Sequence, residues 1–431
     1  MSGKRLQLFL KKWCKIKEKA VVQTGKKDYN KCNERIFAAR IKEEEQMPQR
    51  MILNETSYFG QGALLNLPEE VRRRGFRKAL IITDAVLVEC GVVAKATALL
   101  DANGMPYNIF SQVRANPTVD VVKKGLNAFR VSGADYLIAI GGGSSIDTAK
   151  AVGIIAANPE FSDVVSLEGT ANTARPAVPT IAVPTTAGTA AEVTINYVIT
   201  DEENKRKFVC VDAHDIPQVA IVDPDMMASM PRGLAAATGM DALTHAIEGY
   251  VTKGAWEMTD MFHLQAIKMI AENLREAVDG NAAAREKMAA AQYIAGMGFS
   301  NVGLGAVHGM AHPLGAFYDT PHGVANAVLL PYVMEHNQDE TGEKYREIAR
   351  AMGVSGVDGM SPEEYRRVAV EAVRELSRAV GIPQTLAEIG VRAEDLEELA
   401  KAALRDVCTG GNPKEMTEES ILGVYRWALG I

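Results

Sequence analysis

The residues Tyr136-Leu137-Ile138-Ala139-Ile140 run straight into Gly141-Gly142-Gly143-Ser144-Ser145-Ile146-Asp147-Thr148-Ala149-Lys150. A short apolar run ending in glycine reads as a buried strand, and the residues after it as the start of an apolar helix. Upstream, Lys78-Ala79-Leu80-Ile81-Ile82-Thr83-Asp84 predicts another strand, and 86–103 a helix closed by Asn103-Gly104. Tyr107-Asn108-Ile109-Phe110 then predicts a strand and 119–132 a helix, which makes the run ending at Ile140 the third strand. Strand and helix in alternation give a parallel sheet with helices on both faces. From Asp225 onward the strand signals fade. Helical periodicity is read at 233–251, 258–276, 281–298, 323–336, 342–353, 362–380 and 394–406. The fold class expected is an α/β N-terminal domain over 47–225 followed by an all-α C-terminal domain over 226–431.

The glycine loop carries the first chemical signal. Glycines let the backbone approach a ligand, and the helix start presents free N–H groups to an anion such as a pyrophosphate. A tight strand-to-helix turn with no ligand is the plain alternative. The spacing is not that of the ordinary dinucleotide fingerprint, and the loop does not follow the first strand. Asp84, at the end of its strand, is placed to bond ribose hydroxyls and repel a 2′-phosphate, which favours NAD over NADP. It would serve equally as a helix N-cap. Pro184-Thr185-Thr186-Ala187-Gly188-Thr189-Ala190-Ala191-Glu192 follows the apolar run Thr180–Val183. Its hydroxyls could line a phosphate or nicotinamide pocket or simply cap a turn.

The chain has seven histidines, and three of them, His308, His312 and His322, lie within fifteen residues. Asp241 and His245 stand four apart in an apolar helical stretch, which puts both on one helix face. A carboxylate and an imidazole so placed can share a metal with imidazoles supplied from elsewhere. A lone histidine is more simply a satisfied core residue, and His214, His263 and His336 are read that way. For the four around the glycine-rich turns a metal is the better reading. Three histidines and an aspartate suit Zn²⁺ as well as Fe²⁺.

These motifs together resemble the iron-containing alcohol dehydrogenase family. The resemblance covers essentially everything from Met47 to the C-terminus. Residues 141–150 fit its pattern GGGSxxDxAK, 184–192 its pattern PTTAGTxxE, and 239–248 and 303–323 its metal motifs. It implies a dinucleotide-binding domain and a metal-binding helical domain with the site in the cleft between them. It implies Fe²⁺ held by Asp241, His245, His308 and His322, with His312 near the nicotinamide and substrate. It places NAD against Asp84, Asn116, Gly142, Gly143, Ser144, Asp147, Thr185, Thr186, Thr189, Asn196 and Lys207. Phe299 and Cys408 would border the pocket of a small aldehyde or diol substrate, and a homodimer is implied. The nearest rival is another short-chain alcohol or diol dehydrogenase of the same family, and a more distant one is a sugar lyase or cyclase on the same fold resembling dehydroquinate synthase, which would need several pocket Lys or Arg residues. The motif regions hold few.

Composition excludes other classes. The net charge of −7 argues against a nucleic-acid binder. No apolar run approaches the roughly 20 residues needed to cross a bilayer. Cysteines 14, 32, 90, 210 and 408 show no paired spacing, which fits a reducing compartment. The chain is therefore expected to be cytoplasmic. Residues 1–46 differ from the rest: they carry 13 Lys/Arg against 6 Asp/Glu. A basic amphipathic helix and a solvated tail are two readings of this extension. The favoured one is that it is not native protein, that the stretch Ile41 to Gln46 is a translated ribosome-binding site, and that Met47 is the true start.

Overall fold

The computed structural model describes residues 48–161 and 163–431. The basic extension and the readings of it lie outside the described residues. The first half forms nine strands: β1 (Thr56–Phe59), β2 (Ala79–Asp84), β3 (Tyr107–Val113), β4 (Tyr136–Gly141), β5 (Gly169–Thr170), β6 (Thr180–Pro184), β7 (Asn196–Asp201), β8 (Arg206–Val211) and β9 (Val219–Val222). Six of them build one all-parallel sheet in the order β1-β9-β6-β4-β2-β3. The others form a small sheet, β5-β8-β7.

The large sheet is buried on both faces, so its central strands are continuous apolar runs rather than alternating ones. Side chains of β2 and β4 still alternate between two cores. Leu80, Ile82, Leu137 and Ala139 pack with residues of α4 (Val119–Ser132) and α5 (Gly143–Ala157). Ala79, Ile81, Ile138 and Ile140 pack with α1 (Leu67–Arg73) and α3 (Val92–Ala102). The order β6-β4-β2 fixes the site. These neighbouring parallel strands end on the same side of the sheet, so Thr185, the glycine loop and Asp84 emerge beside one another, where open α/β sheets bind ligands.

Two local expectations are corrected. The helix read over 86–103 is broken into α2 (Ala85–Glu89) and α3, with Gly91 between them at φ 81°. The glycine loop follows the fourth strand, because β1 precedes the strand read as first. β1 is a short edge strand, half-buried at best, and Thr-Ser-Tyr-Phe carries no apolar run to announce it.

The second half is helical: α6 (Pro224–Met227), α7 (Arg232–Val251), α8 (Glu257–Val278), α9 (Ala282–Val302), α10 (Ala306–Tyr318), α11 (His322–Asn337), α12 (Lys344–Ala351), α13 (Pro362–Ala379), α14 (Leu396–Arg405) and α15 (Glu418–Leu429). The sequence reading missed α10 and α15. Gly309, Pro313 and Gly315 hide α10, since each lowers helix propensity. α7 is the axis of this half. Every residue from Ala235 to Val251 is buried, so it has no solvent stripe. No helix among the described residues is long and apolar enough to cross a membrane.

Glycines bring neighbouring helices close to α7. A Cβ on Gly249 of α7 or on Gly298 of α9 would overlap the ring of His263, which α8 inserts between them. His263 is fully buried and neither ring nitrogen has a hydrogen-bond partner. Burial holds its pKa down to about 3, so it packs as a neutral ring, buried as expected but without the hydrogen bonds of a satisfied core histidine. Gly298→Ala should cost about 1–3 kcal/mol of stability through overpacking. Urea unfolding should show a smaller loss in a His263→Ala background, where the ring is gone. Equal losses in the two backgrounds would show that the ring is not what the glycine accommodates.

Candidate active site

The glycine loop and the second loop meet at the sheet edge. A Cβ on Gly142 would lie 3.2 Å from Thr186, and one on Gly143 2.9 Å from Thr189. Gly142 ends the extended segment, and Gly143 opens the 15-residue helix α5. The start of α5 therefore packs against a floor of threonine side chains, with Ser144 in its first turn. The second loop is pinned from the helical half. Ala190 N donates to Gln292 Oε1 at 2.7 Å, and a Cβ on Gly188 would lie 2.7 Å from Thr238 O of α7. Only glycine lets that backbone approach, so the loop sits directly on the helix that carries Asp241 and His245.

The other expected NAD residues divide. Asp84 caps α2: its Oδ1 accepts from Leu87 N at 2.9 Å. That is its N-cap role, and it leaves Oδ2 open to a ligand. Asp147 accepts from Val198 N at 3.1 Å, and desolvation pushes its carboxyl up to about 6. It ties α5 to β7. Asn196 opens β7, and its carbonyl accepts from Lys150 Nζ at 2.8 Å. Lys150 is fully buried and also bonds Thr194 O and Oγ1. It ties α5 to the segment that opens β7. Thr185 is buried at the end of β6. Asn116 sits at φ 54°, accepts from Lys207 Nζ at 2.7 Å and donates to Asp319 at 2.6 Å.

Asp241, His245, His308 and His322 come together. One ligand atom from each lies within 4.8 Å of the others. α7 supplies the first two, α10 the third and α11 the fourth, at its first residue. Burial holds His245 and His308 down to about 4 and His322 well below its ordinary value. The imidazoles are neutral at pH 7, as metal ligation requires. His245 Nδ1 and Asn326 Oδ1 are buried without hydrogen-bond partners. Asn326, one turn after His322, donates to Asp241 Oδ1 at 2.7 Å and lies 3.0 and 3.1 Å from Nε2 of His308 and His322. One buried carboxyl group, three neutral imidazoles and unmet polar atoms fit a divalent cation. Sequence reasoning missed Asn326, and only its place four residues after His322 could have flagged it.

His312 stands apart from that set. Its Nδ1 is 2.7 Å from Asp406 Oδ2, and its ring stacks 5.4 Å from that of His322. Burial pushes Asp406 up, but His312 and the Cys408 N–H outweigh it and hold the carboxyl below its ordinary value. Asp406 went unread, because nothing in the sequence places it near His312. Phe299 stacks on His245 with centroids 4.3 Å apart, and Cys408 lies beside Asp406. Neither lines the adjoining cavity of about 330 Å³, which Lys207, Phe208, His312, Phe317, Asp406 and Val407 border.

Residues 54–224 match the family described as iron-containing alcohol dehydrogenase, and residues 235–429 match its C-terminal part. The chain belongs to the iron-containing alcohol dehydrogenase family. It is an iron- and NAD-dependent alcohol dehydrogenase on an α/β-plus-helical fold. It is 66% identical over 382 residues to lactaldehyde reductase of Escherichia coli (strain K12), covering 89% of this chain and 100% of that protein. It is 42% identical over 381 residues to 1,3-propanediol dehydrogenase of Citrobacter freundii, covering 88% of this chain and 98% of that protein. A crystal structure of 1,3-propanediol oxidoreductase superposes with a TM-score of 0.86 at 42% identity, over 89% of this chain and 100% of that one.

Lys207 gives the nucleotide side a pH signature. Burial holds its ammonium down to about 8 despite the pull of Asp319 and Asp147. The cation is present below that pH and lost above it. If Lys207 faces the cofactor, the NADH dissociation constant should rise as pH climbs through about 8. Fluorescence titration should show weaker binding by Lys207→Met with that step gone. A variant that keeps the step would exclude Lys207 as its source.

Proposed function

We propose that the chain interconverts lactaldehyde and propane-1,2-diol by hydride transfer with NAD. The observation that carries the reading is one buried Asp and three neutral imidazoles gathered near a glycine loop that packs on the threonines of a second loop. The substrate follows from the 66% identity to lactaldehyde reductase along that protein's whole length.

Asp241, His245, His308 and His322 would hold Fe²⁺, which when bound supplies Lewis acidity toward the alcohol or aldehyde oxygen. The chain's own groups then position the reactants. The glycine loop and the N-terminus of α5 bind the pyrophosphate, with Thr185, Thr186 and Thr189 beside it. Asp84 Oδ2 is free for the ribose, which favours NAD over NADP. Asn116, Ser144, Asp147, Asn196 and Lys207 complete the expected set, with Asp147 and Asn196 acting through the loop they brace. Burial around His245 and Phe299 excludes water, and orientation of the reacting carbon does the rest. His312 carries the proton. With Asp406 on Nδ1, its Nε2 is the atom left to exchange a proton with the substrate oxygen and solvent. Phe299, stacked on His245, and Cys408, hydrogen-bonded to Asp406, are read as flanking the substrate beside the ligand cluster rather than from the cavity wall.

The domain division is placed at 225/226, and the enzyme is read as a cytoplasmic homodimer that binds neither membrane nor nucleic acid. A lyase or cyclase on this fold is not favoured. Lys205, Arg206, Lys207 and Arg405 border the cavity, so it is the 66% identity to lactaldehyde reductase, not a lack of basic residues, that weighs against it.

Metal-stripped protein should regain NADH oxidation with lactaldehyde when reconstituted anaerobically with Fe²⁺, with Zn²⁺, glycolaldehyde, butanal and NADPH as comparisons. Bound metal and NAD without activity on any aldehyde would revive the lyase or cyclase reading. His312→Ala should lower turnover by roughly 100-fold or more while metal content stays near wild type. Loss of metal in that variant would make His312 a ligand instead. His245→Ala should lose metal outright, and full iron occupancy there would refute the ligand set.

A further inference from the structure

We infer that Glu248 is a positioning residue that presets the tautomer of His308, so that Nε2 stands ready with its lone pair before any metal arrives. The inference rests on the reading of His308 as a ligand. Glu248 lies on α7 seven residues after Asp241 and three after His245, on the same helix face. Its carboxylate crosses to the start of α10 and is buried there. Oε1 accepts from Val307 N at 2.7 Å, and Oε2 lies 3.4 Å from His308 N and 2.5 Å from His308 Nδ1. A Cβ on Gly305 would come within 2.8 Å of Oε1, so the glycine at the N-cap leaves the carboxylate its place.

The proton on His308 can then be assigned. Asn326 Nδ2, which donates to Asp241, lies 3.0 Å from His308 Nε2. That NH2 has two hydrogens for three neighbours, His322 Nε2 at 3.1 Å being the third, so the contact at Nδ1 makes the assignment: a carboxylate that accepts from Val307 N and faces Nδ1 at 2.5 Å takes the hydrogen there and leaves Nε2 the lone pair. Glu248 receives that hydrogen beside the N–H groups of Val307 and His308 that open α10. One carboxylate thus caps the helix and orients the ligand the helix carries, the usual second partner of a metal-bound imidazole.

Asn412 separates capping from positioning. It also caps α10, accepting from Ala306 N at 3.2 Å, and it is locked by two 2.8 Å bonds with Asn337, but it makes no hydrogen bond to His308. The test loads wild-type, Glu248→Gln and Asn412→Ala enzyme with Zn²⁺ and follows metal release to a chelator, beside the melting temperature. Glutamine must turn an N–H toward either Val307 N–H or Nδ1–H, so Glu248→Gln should release metal about 10- to 100-fold faster. Asn412→Ala should melt earlier and release metal at the wild-type rate. Wild-type release from Glu248→Gln, or equal acceleration by Asn412→Ala, would overturn the assignment. Should Glu248→Gln fail to fold, ¹⁵N-histidine NMR of the metal-free wild type decides alone: an Nδ1–H tautomer at His308 supports the role and an Nε2–H tautomer refutes it. If His308→Ala keeps its metal, the ligand reading itself has failed, a result distinct from failure at Glu248.

Discussion

Helix α7 is buried from Ala235 to Val251, and the architecture of the site depends on that burial. A helix with no solvent face satisfies its backbone internally, but each polar side chain on it must find a partner or remain costly. Asp241, His245 and Glu248 sit on its buried length and are met there by His308, His322 and Asn326. The cluster is polar inside an apolar bundle. Desolvation keeps its imidazoles neutral, and the same low polarity strengthens each interaction made within it.

The two halves meet through contacts of backbone precision. Gly188 lets the second loop lie on α7 at Thr238, and Gln292 of α9 holds Ala190 at φ 52°. Lys150 fastens α5, which follows the glycine loop, to Thr194 and to the start of β7. The distance from the loop that would hold the dinucleotide to the helix that would hold the metal is therefore set by packed backbone rather than by flexible side chains. Hydride transfer needs that rigidity, because misplacement by about 1 Å can cost 10²-fold in rate.

Much of this was legible in the sequence where a residue's partner lay close along the chain. The central strands and α5 announced themselves through apolar runs and glycine, and Asp241 with His245 through helical spacing. α10 did not, because Gly309, Pro313 and Gly315 weaken its helical signal although its faces are packed and buried. The break at Gly91 and the edge strand β1 were likewise decided by burial and backbone sign rather than by composition. Asp406, Asn326 and Glu248 are ordinary polar residues until the fold sets them against His312, Asp241 and His308.

The sequence by itself determined the order of elements, the parallel sheet and the residue types of a metal and nucleotide site, because hydrophobic period, glycine content and i, i+4 spacing are local properties. Tertiary structure alone decided which groups hold those residues in register. Glu248 reaches His308 across 60 positions and Asp406 reaches His312 across 94. Contacts over such separations leave no periodic trace in the chain. They exist only once helix packing has brought distant faces together and removed the water that would otherwise have bonded them.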